Sequence, residues 1–282
     1  MPPLVWQCCD RAIEIGRRPL VMGIVNVTPD SFSDCGRFSD TSAAVEHSLK
    51  LVADGADILD IGGESSRPRA APVSLDEELR RVAPVIAELA KQTPVPISID
   101  TTKPEVARRC LEVGASIIND VGGFRDPDLI AAAAEYRVGL VVMHMQGTPA
   151  TMQTNPHYDD VVREVGEFFE ERLHALAKAG IGREAVCLDP GIGFGKTLEH
   201  NLELLANLGA FTRFGRPLCL GVSRKGFIGA VCGRELAERM PGSLAVACFA
   251  AARGAAHVLR VHDVAPTHDA VLLLDAIDRY RR

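Results

Sequence analysis

The chain has 282 residues, of which 47% are hydrophobic and 24% are charged, and its formal net charge is −6. This composition is typical of a globular protein with a sizeable core, and the scattered lysines and arginines argue against nucleic acid or an anionic membrane surface as a partner. The longest apolar run, 244–252, is too short to cross a bilayer, and charges interrupt residues 1–19 where a signal peptide needs an apolar stretch, so we expect a cytoplasmic protein.

Short apolar segments alternate with amphipathic stretches along the chain. Residues 1–19 precede the first of them, and we expect these residues to form a hairpin that closes one end of the fold. The segments predicted as strands are 20–27, 57–63, 95–100, 116–120, 139–144, 185–189, 218–223 and 257–263. The stretches between them have apolar residues at helical spacing. The three clearest apolar faces are Leu75, Leu79, Val82, Ile86 and Leu89; Val161, Val165, Phe169, Leu173 and Leu176; and Leu198, Leu202, Leu205 and Leu208.

Eight strand–helix repeats in a chain close to the usual length of about 250 residues predict an α/β fold, a (β/α)8 TIM barrel. We expect the barrel to be a single domain over residues 20–282, preceded by the hairpin at 1–19. A doubly wound open sheet is the alternative, because it also alternates strands with helices. Eight repeats without an evident linker favour the closed barrel.

Every predicted strand ends in a polar or ionisable side chain. These residues are Asn26, Glu64, Asp100, Asn119, Asp120, His144, Asp189, Ser223, Lys225, Arg260 and His262. In a TIM barrel the carboxyl ends of the strands build the active site, so the pattern predicts an enzyme with a polar, charged ligand. Because side chains alternate along a strand, Arg260 and His262 share one face, as an anion site requires.

Eight sequence segments, taken together and in order, resemble the dihydropteroate synthase family. They are MGIVNVTPDSFSD (22–34), ADILDIGGESSRP (56–68), SID (98–100), IND (118–120), VVMHMQGTP (141–149), LDPGIGFGK (188–196), GVSRK (221–225) and LRVHDV (259–264). The resemblance implies the joining of 6-hydroxymethyl-7,8-dihydropterin pyrophosphate to p-aminobenzoate, with release of pyrophosphate and 7,8-dihydropteroate. It also implies a bound Mg2+ ion. A homodimer is implied as well, formed through the small-residue segment LAVACFAAARGAA of the last helices, although this segment could equally pack on the barrel.

The resemblance also implies a role for individual residues. The pterin would be bound by Asp100, Asn119, Asp189 and Lys225. The pyrophosphate would be bound by Asn26, Ser66, Arg67, Arg260 and His262, with Asn26 also holding Mg2+. The arylamine would lie near Ser66, Pro68, Phe194 and Ser223. The residues expected to matter most for catalysis are Asp100, Lys225, Arg260 and His262.

These assignments suit the chemistry of the reaction. A carboxylate such as that of Asp189 accepts the amino group and ring N–H of a pterin side by side, although an aspartate before Pro-Gly could instead cap the following turn. For Arg67 the alternative is a solvated loop arginine, and for His262 it is a core histidine. An arylamine is neutral near pH 7, so no general base is required, and we expect an SN1-like loss of pyrophosphate that the electron-rich dihydropterin assists.

One other enzyme type, one binding protein without activity and one motif compete with this interpretation. A methyltetrahydrofolate-binding methyltransferase domain has a similar pocket but no pyrophosphate to bind, and a catalytically silent paralogue would bind the pterin without turning it over. The segment PGIGFGKT resembles a P-loop, but Pro190 stands where that motif requires its first glycine. An NTPase is therefore not expected.

The chain departs from the family pattern at four positions. Ser66 replaces threonine, Arg69 replaces glycine, Gly226 replaces serine and Cys35 replaces glycine. None of these changes removes a side chain to which the resemblance assigns a ligand. They bear on the affinity for the arylamine and for the sulfonamides that mimic it, and on the mobility of the two loops. The sequence makes no prediction of sulfonamide sensitivity.

Overall fold

The computed structural model describes residues 4–28, 37–65 and 71–280. The chain begins with an antiparallel hairpin of β1 (Leu4–Cys8) and β2 (Arg11–Ile15). The strands that follow are β3 (Leu20–Asn26), β4 (Ile58–Gly62), β5 (Ile97–Asp100), β6 (Ile117–Asp120), β7 (Gly139–Met143), β8 (Val186–Asp189), β9 (Cys219–Leu220) and β10 (Val258–Val261).

Helices follow the strands of the sheet. They are α1 (Arg37–Ala53), α2 (Leu75–Gln92), α3 (Pro104–Glu112), α4 (Pro127–Tyr136), α5 (Val161–Lys178), α6 (Leu198–Ala206), α7 (Gly226–Cys232), α8 (Met240–Ala252) and α9 (Val264–Asp278). Within the described ranges, no helix is long and apolar enough to cross a membrane.

The sheet is a parallel barrel. Its strand order is β8-β7-β6-β5-β4-β3-β10-β9, and a parallel bridge between Leu188 and Leu218 joins the two ends. The predicted (β/α)8 barrel is therefore confirmed, and the alternative of an open doubly wound sheet is wrong. Because the strands are parallel, their carboxyl ends all lie at one end of the barrel.

Two predicted elements differ from the structure. The strand expected at 218–223 is only Cys219–Leu220, because the backbone turns after it, with Lys225 N donating to Val222 O and Arg224 at a positive φ of 56°. On α6 the predicted apolar face is also partly wrong, since Leu202 is 43% exposed and Leu204 is buried. The buried face of α6 includes Asn201, whose side chain binds the turn before the helix.

The hairpin fills the amino-terminal end of the barrel, as predicted. Trp6 and Cys8 pack in one apolar cluster with the barrel-lining residues Met22 and Ile58. The Trp6 indole Nε1 donates to the carbonyl oxygen of Ala185 at 2.8 Å. Apolar side chains therefore fill the barrel interior at its amino-terminal end.

Candidate functional site

Four residues at the carboxyl ends of β3 to β6 stand in one row across the sheet. Asn26 is level with Gly62, Gly62 with Asp100, and Asp100 with Asn119. Paired residues in neighbouring parallel strands point to the same face, so the row lines the barrel interior. A Cβ at Gly62 would lie 3.5 Å from the Cβ of Asp100. The glycine therefore leaves the space beside the Asp100 carboxylate open.

Arg260 binds two carboxylates, one of which, that of Asp100, belongs to this row. Its Nε donates to Asp60 Oδ2 at 2.6 Å, and its Nη2 donates to Asp100 Oδ2 at 2.6 Å. Asn119 Nδ2 donates to the same Asp60 oxygen at 3.0 Å. Four strands, β4, β5, β6 and β10, are thus held by one group of side chains, which we call the Arg260 cluster: Asp60, Asp100, Asn119 and Arg260.

Asp60 was not among the predicted site residues, although it is completely buried at the centre of the cluster. Its Oδ1 has no hydrogen-bond partner among the residues that the structure describes. The signal in the sequence was a single carboxylate within the apolar strand ILDIG, two residues before Gly62 and hence on the same face.

Burial sets the charge states within the Arg260 cluster. It raises the pKa of Asp100 to about 7, although Arg260 opposes the shift, and the negative charge of Asp60 raises it further. Burial alone would lower the pKa of Arg260, but Asp60 and Asp100 raise that pKa above its usual value. Arg260 therefore stays cationic, while Asp100 can change charge near neutral pH.

A second group of charges follows β8 and β9. Asp189 Oδ1 accepts from Gly191 N at 2.7 Å, so this residue does cap the turn after it. Its Oδ2 has no donor among the described residues. Lys225 donates to the carbonyl oxygen of Ile192, and its Nζ lies 4.5 Å from the centre of the Phe194 ring.

Asp189 and Lys225 influence each other's ionisation. Burial raises the pKa of Asp189, and the positive charge of Lys225 opposes that shift. Burial lowers the pKa of Lys225 to about 8, and Asp189 opposes that shift in turn. The site thus offers a carboxylate acceptor and an ammonium donor beside an aromatic ring.

Ser223 and His262 are in contact at the ends of β9 and β10. The Ser223 oxygen accepts from the backbone N–H of His262 at 3.2 Å and lies 3.0 Å from its Nδ1. The side chain of Arg224 pairs with Asp263, which fixes the two strand ends against each other. His262 is therefore held at the mouth of the barrel and is not a residue of the apolar core.

The segment 66–70, which includes Ser66, Arg67, Pro68 and Arg69, lies outside the described residues, and so does Cys35. On either side of that segment, Glu64 Oε1 accepts from Val73 N at 3.0 Å. Lys103, which the sequence interpretation missed, pairs with Glu64 and with the buried Glu78.

The fourth departure from the family pattern, Gly226, lies within the described residues. Gly226 is exposed, and a Cβ there would meet nothing within 4 Å. The absence of a side chain at this position therefore removes no packing contact from the fold.

No three histidine, cysteine, aspartate or glutamate side chains come together as a metal site in the described ranges. The half-buried amide of Asn26, at the end of β3, supplies a hard oxygen donor at the mouth. This donor suits Mg2+, which commonly takes one or two protein oxygens together with phosphate oxygens and water.

Comparisons with known proteins agree with this geometry. The family model described as "Pterin binding enzyme" matches residues 22–262. The chain is 50% identical to the dihydropteroate synthase of Escherichia coli (strain K12) over 258 residues, 92% of this chain and 91% of that protein. Among solved structures, Xanthomonas albilineans dihydropteroate synthase with 4-aminobenzoic acid has a TM-score of 0.91 and 49% identity, covering 98% of each chain.

A second Xanthomonas albilineans structure, that of dihydropteroate synthase in complex with 7,8-dihydropteroate, has a TM-score of 0.87 and 47% identity, covering 97% of this chain and 98% of that one. Both the similarity in sequence and the similarity in fold extend over nearly the whole chain. The chain therefore belongs to the pterin-binding enzyme family and, within it, to the dihydropteroate synthases.

Proposed function

We propose that this chain condenses 6-hydroxymethyl-7,8-dihydropterin pyrophosphate with p-aminobenzoate, yielding 7,8-dihydropteroate and pyrophosphate. The observation that carries the proposal is the Arg260 cluster beside Asp189 and Lys225, all inside one end of the barrel. Carboxylate and amide acceptors there suit a heterocycle rich in N–H donors, and the cations suit an anionic leaving group.

The pterin is proposed to bind between Asp189 and the Arg260 cluster. The two oxygens of Asp189 accept the exocyclic amino group and the ring N–H side by side, because Oδ1 keeps a second lone pair beside the one that Gly191 N engages. Asp100 and Asn119 contact other ring nitrogens, and Lys225 donates to the pterin carbonyl. The raised pKa of Asp100 means that its full acceptor capacity is present only above about pH 7.

The pyrophosphate is proposed to bind at the outer side of the cluster. Arg260 uses Nε and Nη2 for Asp60 and Asp100, so Nη1 remains available as a donor to a phosphate oxygen. His262 and Asn26 lie at neighbouring strand ends, and Ser66 and Arg67 are assigned to the same group by their place in the family motif. Asn26 would also hold Mg2+, which when bound neutralises charge on the pyrophosphate.

The remaining chemistry requires little from the protein. The arylamine carries its own lone pair at neutral pH, so the side chains need only orient it and stabilise the departing pyrophosphate. Phe194 and Ser223 lie on the side of the site that Lys225 and His262 share, which suits the arylamine, and Pro68 and Ser66 are assigned there by the family motif.

An SN1-like loss of pyrophosphate predicts that the rate is insensitive to the nucleophile. Ring-substituted arylamines of graded basicity, each at saturation, are expected to change kcat by less than about threefold. Steady-state kinetics with saturating dihydropterin pyrophosphate measure this. A steep rise of kcat with amine basicity would contradict the SN1-like route and would indicate direct displacement.

The activity itself is tested by pyrophosphate release. Purified protein with dihydropterin pyrophosphate and Mg2+ is expected to release pyrophosphate at a rate that depends on p-aminobenzoate. Asn26→Ala is expected to raise the Mg2+ concentration for half-maximal release by at least about tenfold. Asn207→Ala, which removes another amide that bonds only to its own helix, is the control and should leave that concentration unchanged.

The competing functions give different results in this assay. A silent paralogue would bind the pterin in calorimetry and release no pyrophosphate. A methyltetrahydrofolate-binding domain would bind a folate without needing the pyrophosphate, so Arg260 and His262 would have no ligand. Pyrophosphate release that yields no 7,8-dihydropteroate when p-aminobenzoate is present would contradict the proposed condensation.

A homodimer formed through the last helices is proposed from exposed apolar side chains. Phe249 on α8 and Leu272, Leu273 and Ile277 on α9 are between 38% and 63% exposed, and these two helices pack together. An apolar surface of this kind is typical of a protein–protein interface.

The variant Leu273→Arg is expected to convert the dimer to a monomer, because it places a charge within that surface. Leu202→Arg is the matched control, since Leu202 is 43% exposed on the distant helix α6. Sedimentation equilibrium gives the masses. A wild-type monomer, or a Leu273→Arg dimer as stable as the wild type, would contradict this interface.

A further inference from the structure

Lys196 is a buried lysine that the proposed reaction does not use. It is 3% exposed, and its Nζ lies 2.9 Å from His144 Nδ1, 3.0 Å from Phe194 O and 3.1 Å from Gly191 O. Among the described residues no carboxylate forms an ion pair with it. Burial lowers the pKa of Lys196 to about 7, and the negative charge of Asp189 opposes that shift. A buried amino group depends on the acceptors and dipoles around it in either charge state, so its contacts are specific and costly to disturb.

These contacts fix the shape of the turn between β8 and α6. Gly191, Gly193 and Gly195 all have positive φ, at 66°, 84° and 62°, and bend the backbone so that its carbonyl groups converge on Nζ. A Cβ at Gly191 would lie 1.9 Å from His144 O. The turn is therefore pressed so closely against the end of β7 that only glycine fits at position 191.

His144 serves as the anchor of this arrangement. Burial, with a smaller contribution from the charge of Lys196, lowers the pKa of His144 to about 2, so the ring is neutral. Its Nδ1 can then accept from the ammonium group, which assigns the ring proton to Nε2. The ring also packs edge-on against Phe168, with 5.0 Å between the ring centres.

The opposite side of the turn faces the candidate active site. Lys225 donates to Ile192 O, and the Phe194 ring lies 4.5 Å from Lys225 Nζ. Two lysines therefore hold the same turn from two sides, Lys196 from behind and Lys225 from within the site. The position of the Phe194 ring depends on both of them.

We propose that Lys196, anchored by His144, is a positioning residue for the arylamine substrate. It acts through the turn, by holding Phe194 against Lys225, and touches neither substrate itself. This inference rests on the proposed synthase function. It predicts that loss of Lys196 or of its anchor weakens arylamine binding far more than pterin binding. Asp189 caps the turn through Gly191 but is also held in β8 by its pairing with β7, and the Arg260 cluster lies outside the turn.

The test compares Lys196→Met, His144→Leu and His144→Asn. The first two are expected to raise KM for p-aminobenzoate at least about tenfold and to leave the calorimetric Kd for dihydropterin pyrophosphate within about threefold. Asparagine at 144 places an acceptor close to the former Nδ1, so His144→Asn should recover most of the arylamine KM. Lys91→Met, at a lysine whose side chain is 70% exposed, is the control.

Each other outcome decides the question. An unchanged arylamine KM in both Lys196→Met and His144→Leu overturns the proposal, and so does an equal loss for both substrates, which would indicate a purely structural role. Should Lys196→Met fail to fold, the contrast between His144→Leu and His144→Asn remains decisive. A wild-type protein that releases no pyrophosphate would contradict the proposed function itself. An active wild type whose variants keep the same KM for p-aminobenzoate would contradict only the role of Lys196.

Discussion

The sharing of one guanidinium between two buried carboxylates is the interaction on which the site depends. Arg260 reaches Asp60 on β4 and Asp100 on β5 from β10, and Asn119 on β6 joins through Asp60. Removing one partner from a buried ion pair leaves an uncompensated charge, so the cluster constrains four strand ends at once. Two carboxylates against one arginine also leave an excess of acceptors. That excess suits a pterin, and the remaining Arg260 nitrogen suits the pyrophosphate attached to it.

The apolar packing that stabilises the barrel and the charged groups of the candidate site lie in different parts of the structure. The hairpin and its Trp6 close the amino-terminal end with apolar packing, and the helices cover the outside of the sheet. Charged groups can therefore be concentrated at the carboxyl ends without disturbing the main core. The turn after β8 is the exception, because the amino group of Lys196 is buried behind that turn and donates to its carbonyl oxygens.

The repeating pattern of the sequence was sufficient to predict the fold and the strand ends that build much of the site. Eight strand–helix repeats predicted the barrel, and the face of α5 is buried as its periodicity indicated. Asp60 was missed because its partner Arg260 lies 200 residues away, and nothing local distinguishes a paired carboxylate from a tolerated one. The face of α6 was misjudged for a related reason, since Asn201 is buried by a contact with the preceding turn. The role of Lys196 was missed because its partners are His144 and the backbone carbonyls of a turn, which no sequence pattern reveals.

The affinity for 6-hydroxymethyl-7,8-dihydropterin between pH 5.5 and 8 tests most directly whether the Arg260 cluster controls pterin binding through the charge of Asp100. Calorimetry should show affinity rising with pH through about 7 as Asp100 ionises. Asp60→Asn should move that midpoint to lower pH, because a neighbouring negative charge that raises the pKa is removed. Asp100→Asn, which cannot titrate, controls for ionisation of the ligand. A midpoint that is the same in Asp60→Asn and in the wild type would contradict the account.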